Sequence, residues 1–98
     1  MNNEYELTLL VHPDVSFKDA KKCIQEHLDK YTKDYEYTQG KENYRLAYSI
    51  MGNEYAQYVQ HNFRTTDKNI ITKLTHDLDN DSRVMRHLCI LSAPRGVK

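Results

Sequence analysis

The sequence predicts an α+β fold in which two helices cover one face of a four-stranded antiparallel sheet. Two observations carry this: apolar residues recur at helical spacing in two separate stretches, and four extended segments bracket them in the order β-α-β-β-α-β. Ninety-eight residues with 39% hydrophobic content suffice for one core, because a chain this long buries roughly two-thirds of the surface its unfolded form exposes. A single domain is expected over residues 1 to 92, with a flexible tail over residues 93 to 98.

The first strand is read from Tyr5-Glu6-Leu7-Thr8-Leu9-Leu10-Val11-His12, where Leu7, Leu9 and Val11 share a face at period two, and it ends at Pro13. Ser16 and Asp19 then have the spacing of a helix cap with an acidic partner. Phe17, Ala20, Ile24, Leu28 and Tyr31 follow at three- and four-residue steps, which predicts a helix over residues 16 to 32. Residues 35 to 50 read as a long second strand bent near Gly40, and Met51-Gly52-Asn53-Glu54 as the turn into a third. That third strand spans residues 55 to 63 with Tyr55, Val59 and Phe63 as apolar markers. Its Gln57, Gln60, His61 and Asn62 are expected to give it one face toward water or a partner.

Thr65-Thr66-Asp67 supplies a cap and a first-turn acid for a second helix over residues 66 to 79, with Ile70, Ile71, Leu74 and Leu78 as its stripe. After the Asp79-Asn80-Asp81-Ser82 turn, residues 84 to 91 form the fourth strand, in which Arg86 alternates in phase with Val84, Leu88 and Ile90. The whole is a ferredoxin-like arrangement. Strands one and four are expected at the centre of the sheet, with strands two and three at its edges.

Fourteen basic and fourteen acidic side chains cancel, which argues against coating nucleic acid by bulk charge. Distribution is uneven: residues 1 to 40 carry five Lys against eight Asp and Glu, whereas residues 83 to 98 carry Arg83, Arg86, Arg95 and Lys98 with no acid. No run approaches the roughly 18 apolar residues of a membrane span, and the opening Met1-Asn2-Asn3-Glu4 lacks a basic flank before a hydrophobic stretch. A soluble, intracellular protein is expected. Cys23 and Cys89 form no CxxC pair, so neither a disulfide framework nor a four-cysteine zinc module is indicated.

Tyr5-Glu6 opening the first strand with His12-Pro13-Asp14 after it, Arg45-Leu46-Ala47-Tyr48-x-Ile50, the Tyr55-to-Phe63 strand and Val84-Met85-Arg86-His87-Leu88 together span residues 4 to 92. In this set and order the chain resembles the family of the sixth protein of the bacterial small ribosomal subunit. The resemblance implies a structural protein of the cytoplasmic or an organellar ribosome that binds small-subunit rRNA together with an S-eighteen-like ribosomal protein. Ser49 stands where the family usually has Pro, and Glu42 where it usually has Gly. Asn43 and Tyr44 replace its usual basic pair, so phosphate contact at this hairpin is expected to be weaker than in relatives.

Tyr44, Arg45, Tyr48, Arg83, Arg86 and His87 are the candidate RNA-binding residues, because guanidinium groups bridge phosphates and aromatic faces stack on bases. The resemblance raises Arg45 and Arg86 above the rest; the alternative is that the Tyr rings pack on the sheet and the Arg heads are only solvated. No segment carries the aromatic RNP pattern of an RRM sheet. Cys23 and His27, at i,i+4, and His87 and Cys89, at i,i+2, have spacings that could converge on zinc, but a lone Cys beside a helix stripe reads more simply as a small buried hydrophobe. Neither metal site nor cofactor is assigned. No phosphate loop, GxGxxG or HExxH occurs, and no Gly-rich turn beside a thiol offers an oxyanion donor, so no enzyme, small-molecule substrate or membrane partner is expected. The rival reading is a ligand-sensing or dimerising module on the same fold.

Overall fold

The computed structural model describes residues 3–94 and places along them β1 (Asn3–Val11), α1 (Phe17–Asp29), β2 (Tyr35–Ile50), β3 (Asn53–Thr65), α2 (Asn69–Asp79) and β4 (Val84–Pro94). The element order is the one the periodicities predict. β4 runs to Pro94, which pairs with Asn3, so the strand extends past the expected start of the tail. Residues 95–98, the rest of that expected tail, lie outside the described residues.

All pairings are antiparallel and the strand order is β2-β3-β1-β4. The expectation that β4 is central and β3 at an edge is therefore wrong: β1 and β3 are central, and β2 and β4 are the edges. Each βαβ crossover skips one position, and the remaining strand fills the gap. β3 enters between β1 and β2, and β1 enters between β3 and β4.

Burial follows the apolar faces. Leu7, Leu9 and Val11 of β1 and Val59 and Phe63 of β3 form the floor on which Ala20, Ile24 and Leu28 of α1 and Leu74 and Leu78 of α2 pack, all buried. α1 begins as its sequence requires, with Ser16 Oγ accepting from Asp19 N–H at 3.1 Å. Its first residue, Phe17, lies over the bend in β2. A Cβ on Gly40 would come 2.7 Å from Phe17 Cζ and 2.8 Å from the Tyr58 carbonyl oxygen, so only glycine fits there. α2 begins later than its sequence suggests. Lys68 occupies the cap position without a side-chain bond, while Thr65 Oγ1 and Asp67 Oδ1 accept from the N–H groups of Asp67 and Asn69. The expected cap is instead the turn before the helix.

The polar residues of β3 do not face water as expected: Gln57, Gln60 and His61 are buried, and Tyr55, taken as an apolar marker, is exposed. Gln57 and His61 lie on the face the helices roof, whereas Gln60 lies on the opposite face and is covered by neighbouring side chains. On the open face Gln60 Oε1 instead accepts from Gln39 Nε2 at 2.7 Å and from the Tyr58 hydroxyl at 3.2 Å.

His61 is 0% exposed, neither ring nitrogen has a partner among the described residues, and the rings of Tyr35 and Tyr37 stand 6.0 and 5.5 Å away. Burial, with the Lys21 charge nearby, pushes its imidazole from 6.5 down to about 4. The unfolded chain therefore takes up the proton first, and acid favours unfolding. Stability should fall by up to about 3 kcal/mol from this group as pH drops from 6.5 to about 4. Denaturant titrations across that range should show a flatter dependence for His61→Leu; parallel curves for the two proteins would contradict the assignment.

Candidate nucleic-acid interface

The last β1–β3 pair is Val11↔Gln57, whereas β3 begins at Asn53 and pairs with β2 through Tyr44↔Ala56, Arg45↔Tyr55 and Ile50↔Asn53. The β2–β3 hairpin therefore overruns the strand beside it. Met51 and Gly52 close it at φ 52° and 80°, the left-handed pair that a two-residue type I′ turn requires. The overrun end covers itself with a second, small core: Leu46, Ala56 and Met85 are buried there, with Leu10 and Ile50 against them. Met85 reaches this core because β4 bulges, Leu10 pairing with Arg86 and Val11 with Val84 so that Met85 has no partner in the ladder.

That bulge decides where Arg86 points. Val84 and Arg86 fall out of phase, and Arg86 joins Leu88 and Ile90 on the open face, exposed. The opposite edge is set by Gln57, whose buried amide accepts from Asn43 N–H at 2.9 Å and donates to the Val15 carbonyl at 3.0 Å. It ties a β2 bulge, where Asn43 stands at φ 52°, to the loop before α1. Tyr44 follows directly, its ring 5.2 Å from that of Tyr58 at 50°, with Lys41 Nζ 5.6 Å from its centroid.

Tyr44, Tyr58 and Arg86 meet across a concavity of about 350 Å³ whose floor includes Thr8, Leu10 and Leu88, with His87 at its border. A second hollow of about 210 Å³ joins Arg86 to Leu46, Tyr48 and Ile50. Tyr48 is 85% exposed. Arg45 is exposed on the hairpin and lines a separate hollow of about 600 Å³ with Tyr44, Leu46 and Glu54. Neither Arg45 nor Arg86 has an ion-pair partner among the described residues.

Arg83 stands elsewhere. Its guanidinium holds Asp81 through Nε to Oδ1 at 3.0 Å and Nη2 to Oδ2 at 2.8 Å, and reaches Glu26 at 3.3 Å. His87 Nε2 lies 2.6 Å from Asp79 Oδ1. Of the six candidates the structure thus gathers Tyr44 and Arg86 with the edge of His87, puts Arg45 and Tyr48 along the hairpin, and commits Arg83 to the helix side. Tyr58 and Lys41 were missed. Their signal was the pairing of Lys41 with Tyr58 across a bulged ladder, which needs the register to be known.

Burial, with Asp81 beside it, pushes Cys23 from 9.0 up to about 12, and burial pushes Cys89 up to about 11, so neither is a thiolate at neutral pH unless a cation displaces its proton. Element order and strand pairing together define a small ferredoxin-like α+β protein. The chain matches the family model of ribosomal protein S6 over residues 4–91 and belongs to that family, a structural and non-enzymatic one of the small ribosomal subunit. Its fold is similar to that of the 30S ribosomal protein S6 of Thermotoga maritima, with a TM-score of 0.74 at 14% identity, covering 93% of this chain and 88% of that one. No curated protein sequence matches the chain.

Replacing Arg86 with Ala should change stability by no more than about 0.5 kcal/mol, because the side chain is exposed and has no ion-pair partner among the described residues. Arg83→Ala should cost more, about 1 to 2 kcal/mol, because it removes the donors to Asp81. Urea denaturation of the two variants checks the order; a larger loss for Arg86→Ala would show that the bulge has been misjudged.

Proposed function

We propose that the chain binds small-subunit rRNA through the open face and the β2–β3 hairpin, and that it does so together with an S-eighteen-like ribosomal protein. The observation that carries this is the meeting of Tyr44, Tyr58 and Arg86 around one concavity, with Lys41 against the Tyr44 ring. A tyrosine ring held at one edge by another ring keeps a face for a base, and a guanidinium beside it reaches a phosphate. Arg45 and Tyr48 extend the contact along the hairpin. Arg83 and His87 already hold carboxylates, so they are left out of the contact set.

Affinity of the chain alone should be weak, since the formal net charge is zero and few phosphates can be neutralised. A basic partner raises it by adding contacts and by binding the same folded state. Filter binding to small-subunit rRNA across a salt series, with and without the S-eighteen-like protein, tests both points. Tighter binding with the partner is expected. Arg45→Ala and Arg86→Ala should each make the salt slope shallower by about one unit, and Tyr44→Ala should weaken binding at every salt concentration without changing the slope. Equally tight binding by the chain alone, or an unchanged slope in both arginine variants, would overturn the reading.

A further inference from the structure

On the helix side of the molecule, away from the RNA surface, the chain gathers three metal-ligating side chains. Cys23 and His27 stand one turn apart on the buried flank of α1, and Asp81 comes from the turn between α2 and β4. Asp81 Oδ2 is 2.7 Å from His27 Nε2 and 3.5 Å from Cys23 Sγ, and all three ligand atoms lie within 4.8 Å of one another. His87 and Cys89, the partners that spacing suggested for Cys23 and His27, are not in the group. Asp81 takes their place, and a turn aspartate carries no sequence signal for that role.

We propose that Cys23 Sγ, His27 Nε2 and Asp81 Oδ2 form a three-ligand site for a divalent transition metal of the zinc type, with a fourth position open to water. Metal bonds of about 2.3 Å to sulfur and about 2.0 Å to nitrogen and oxygen at tetrahedral angles put ligand atoms roughly 3.3 to 3.6 Å apart. The Cys23–Asp81 separation already has that value. The His27–Asp81 pair must open by about half an ångström, exchanging its hydrogen bond for two metal bonds, while Cys23 Sγ and His27, within 4.8 Å of each other, draw together. Nothing resists the exchange at the far side of the ring: His27 Nδ1 has no partner among the described residues, so the imidazole proton can move there while Nε2 presents its lone pair.

The surroundings suit the exchange. Asp81 Oδ1 accepts from both N–H and Nε of Arg83 at 3.0 Å, which orients the carboxylate and leaves Oδ2 turned to the cysteine and histidine. Arg83 Nη2 also touches Oδ2 at 2.8 Å and is the metal's competitor, but it lies 3.3 Å from Glu26 Oε1 and can keep that contact when displaced. A hollow of about 460 Å³ lined by Glu26, His27, Lys30, Asp81 and Arg83 opens the site to solvent. As the sulfur–metal bond forms, the thiol proton leaves to solvent. The resulting thiolate and the carboxylate offset the two charges of the ion.

Cobalt(II) titration of the full chain under reducing conditions tests the site. Saturation at one equivalent is expected, with the strong visible bands of tetrahedral cobalt and a near-ultraviolet thiolate-to-cobalt band, both abolished by added zinc. Cys23→Ala should lose the thiolate band, Asp81→Asn should bind at least about tenfold more weakly, and Cys89→Ala should be unchanged. Independently of any variant, zinc should raise the unfolding midpoint of the native chain and release a proton per ion bound, read by calorimetry in buffers of different ionisation enthalpy. No tetrahedral spectrum, a thiolate band that survives in Cys23→Ala, or an unfolding midpoint that zinc does not raise would overturn the proposal and leave the three residues as a hydrogen-bonded triad.

Discussion

The length mismatch between the β2–β3 hairpin and β1 governs the rest of this molecule. β1 stops pairing with β3 at Gln57, yet β3 starts at Asn53 and β2 runs to Ile50. Backbone beyond a sheet's last neighbour is exposed unless it is covered, and here Leu46 and Ala56 cover it by reaching Met85 at the far edge of the sheet. That closure curls the open face into a hollow and brings Tyr44 of one edge strand near Arg86 of the other, across two central strands. A hairpin that ended level with β1 would leave a flat sheet with its cations on separate edges.

The division of labour among cations follows from the same frame. Arg64 is held among Glu4, Asp34 and Glu36, and Arg83 between Asp81 and Glu26, so both serve the fold. The Asp81 carboxyl is held well below the usual carboxylate range by the Arg83 guanidinium and by His27, which marks the α2–β4 turn as a fixed electrostatic joint. Arg45, which shares a hollow with Glu54, and Arg86 form no ion pair among the described residues. A neutral chain can therefore still present local positive charge where its acids pair with other cations, as Glu4, Asp34 and Glu36 do with Arg64.

The element order and both helix stripes were legible in the sequence, because amphipathic spacing around Ala20, Ile24 and Leu28 or Leu74 and Leu78 reports directly which side is buried. Strand order was not. Val84, Leu88 and Ile90 make β4 look central, whereas Leu88 and Ile90 are exposed on an edge. The phase of Arg86 was hidden by one unpaired residue, Met85, since a bulge inverts every face assignment beyond it. Gln57 and His61 read as wet because polarity was taken for exposure, yet Gln57 is buried by its own hydrogen bonds and His61 is buried without any. Within the candidate site, Tyr44, Arg45, Tyr48 and Arg86 were readable from residue type. The partners that would claim Arg83 and His87 are Asp81, in the turn after α2, and Asp79, the last residue of α2, and neither belongs to an apolar stripe that would fix its direction.

Which surface meets RNA is decided most directly by ultraviolet cross-linking of assembled small subunits, followed by mass spectrometry of the nucleotide-bearing peptides of this chain. RNA contact across the open face predicts adducts on Tyr44 or Tyr48 and in the peptide carrying Arg86, with the exposed Lys18 and Lys22 of α1 unmodified. Adducts confined to α1 and α2, with the hairpin and β4 unmodified, would contradict it.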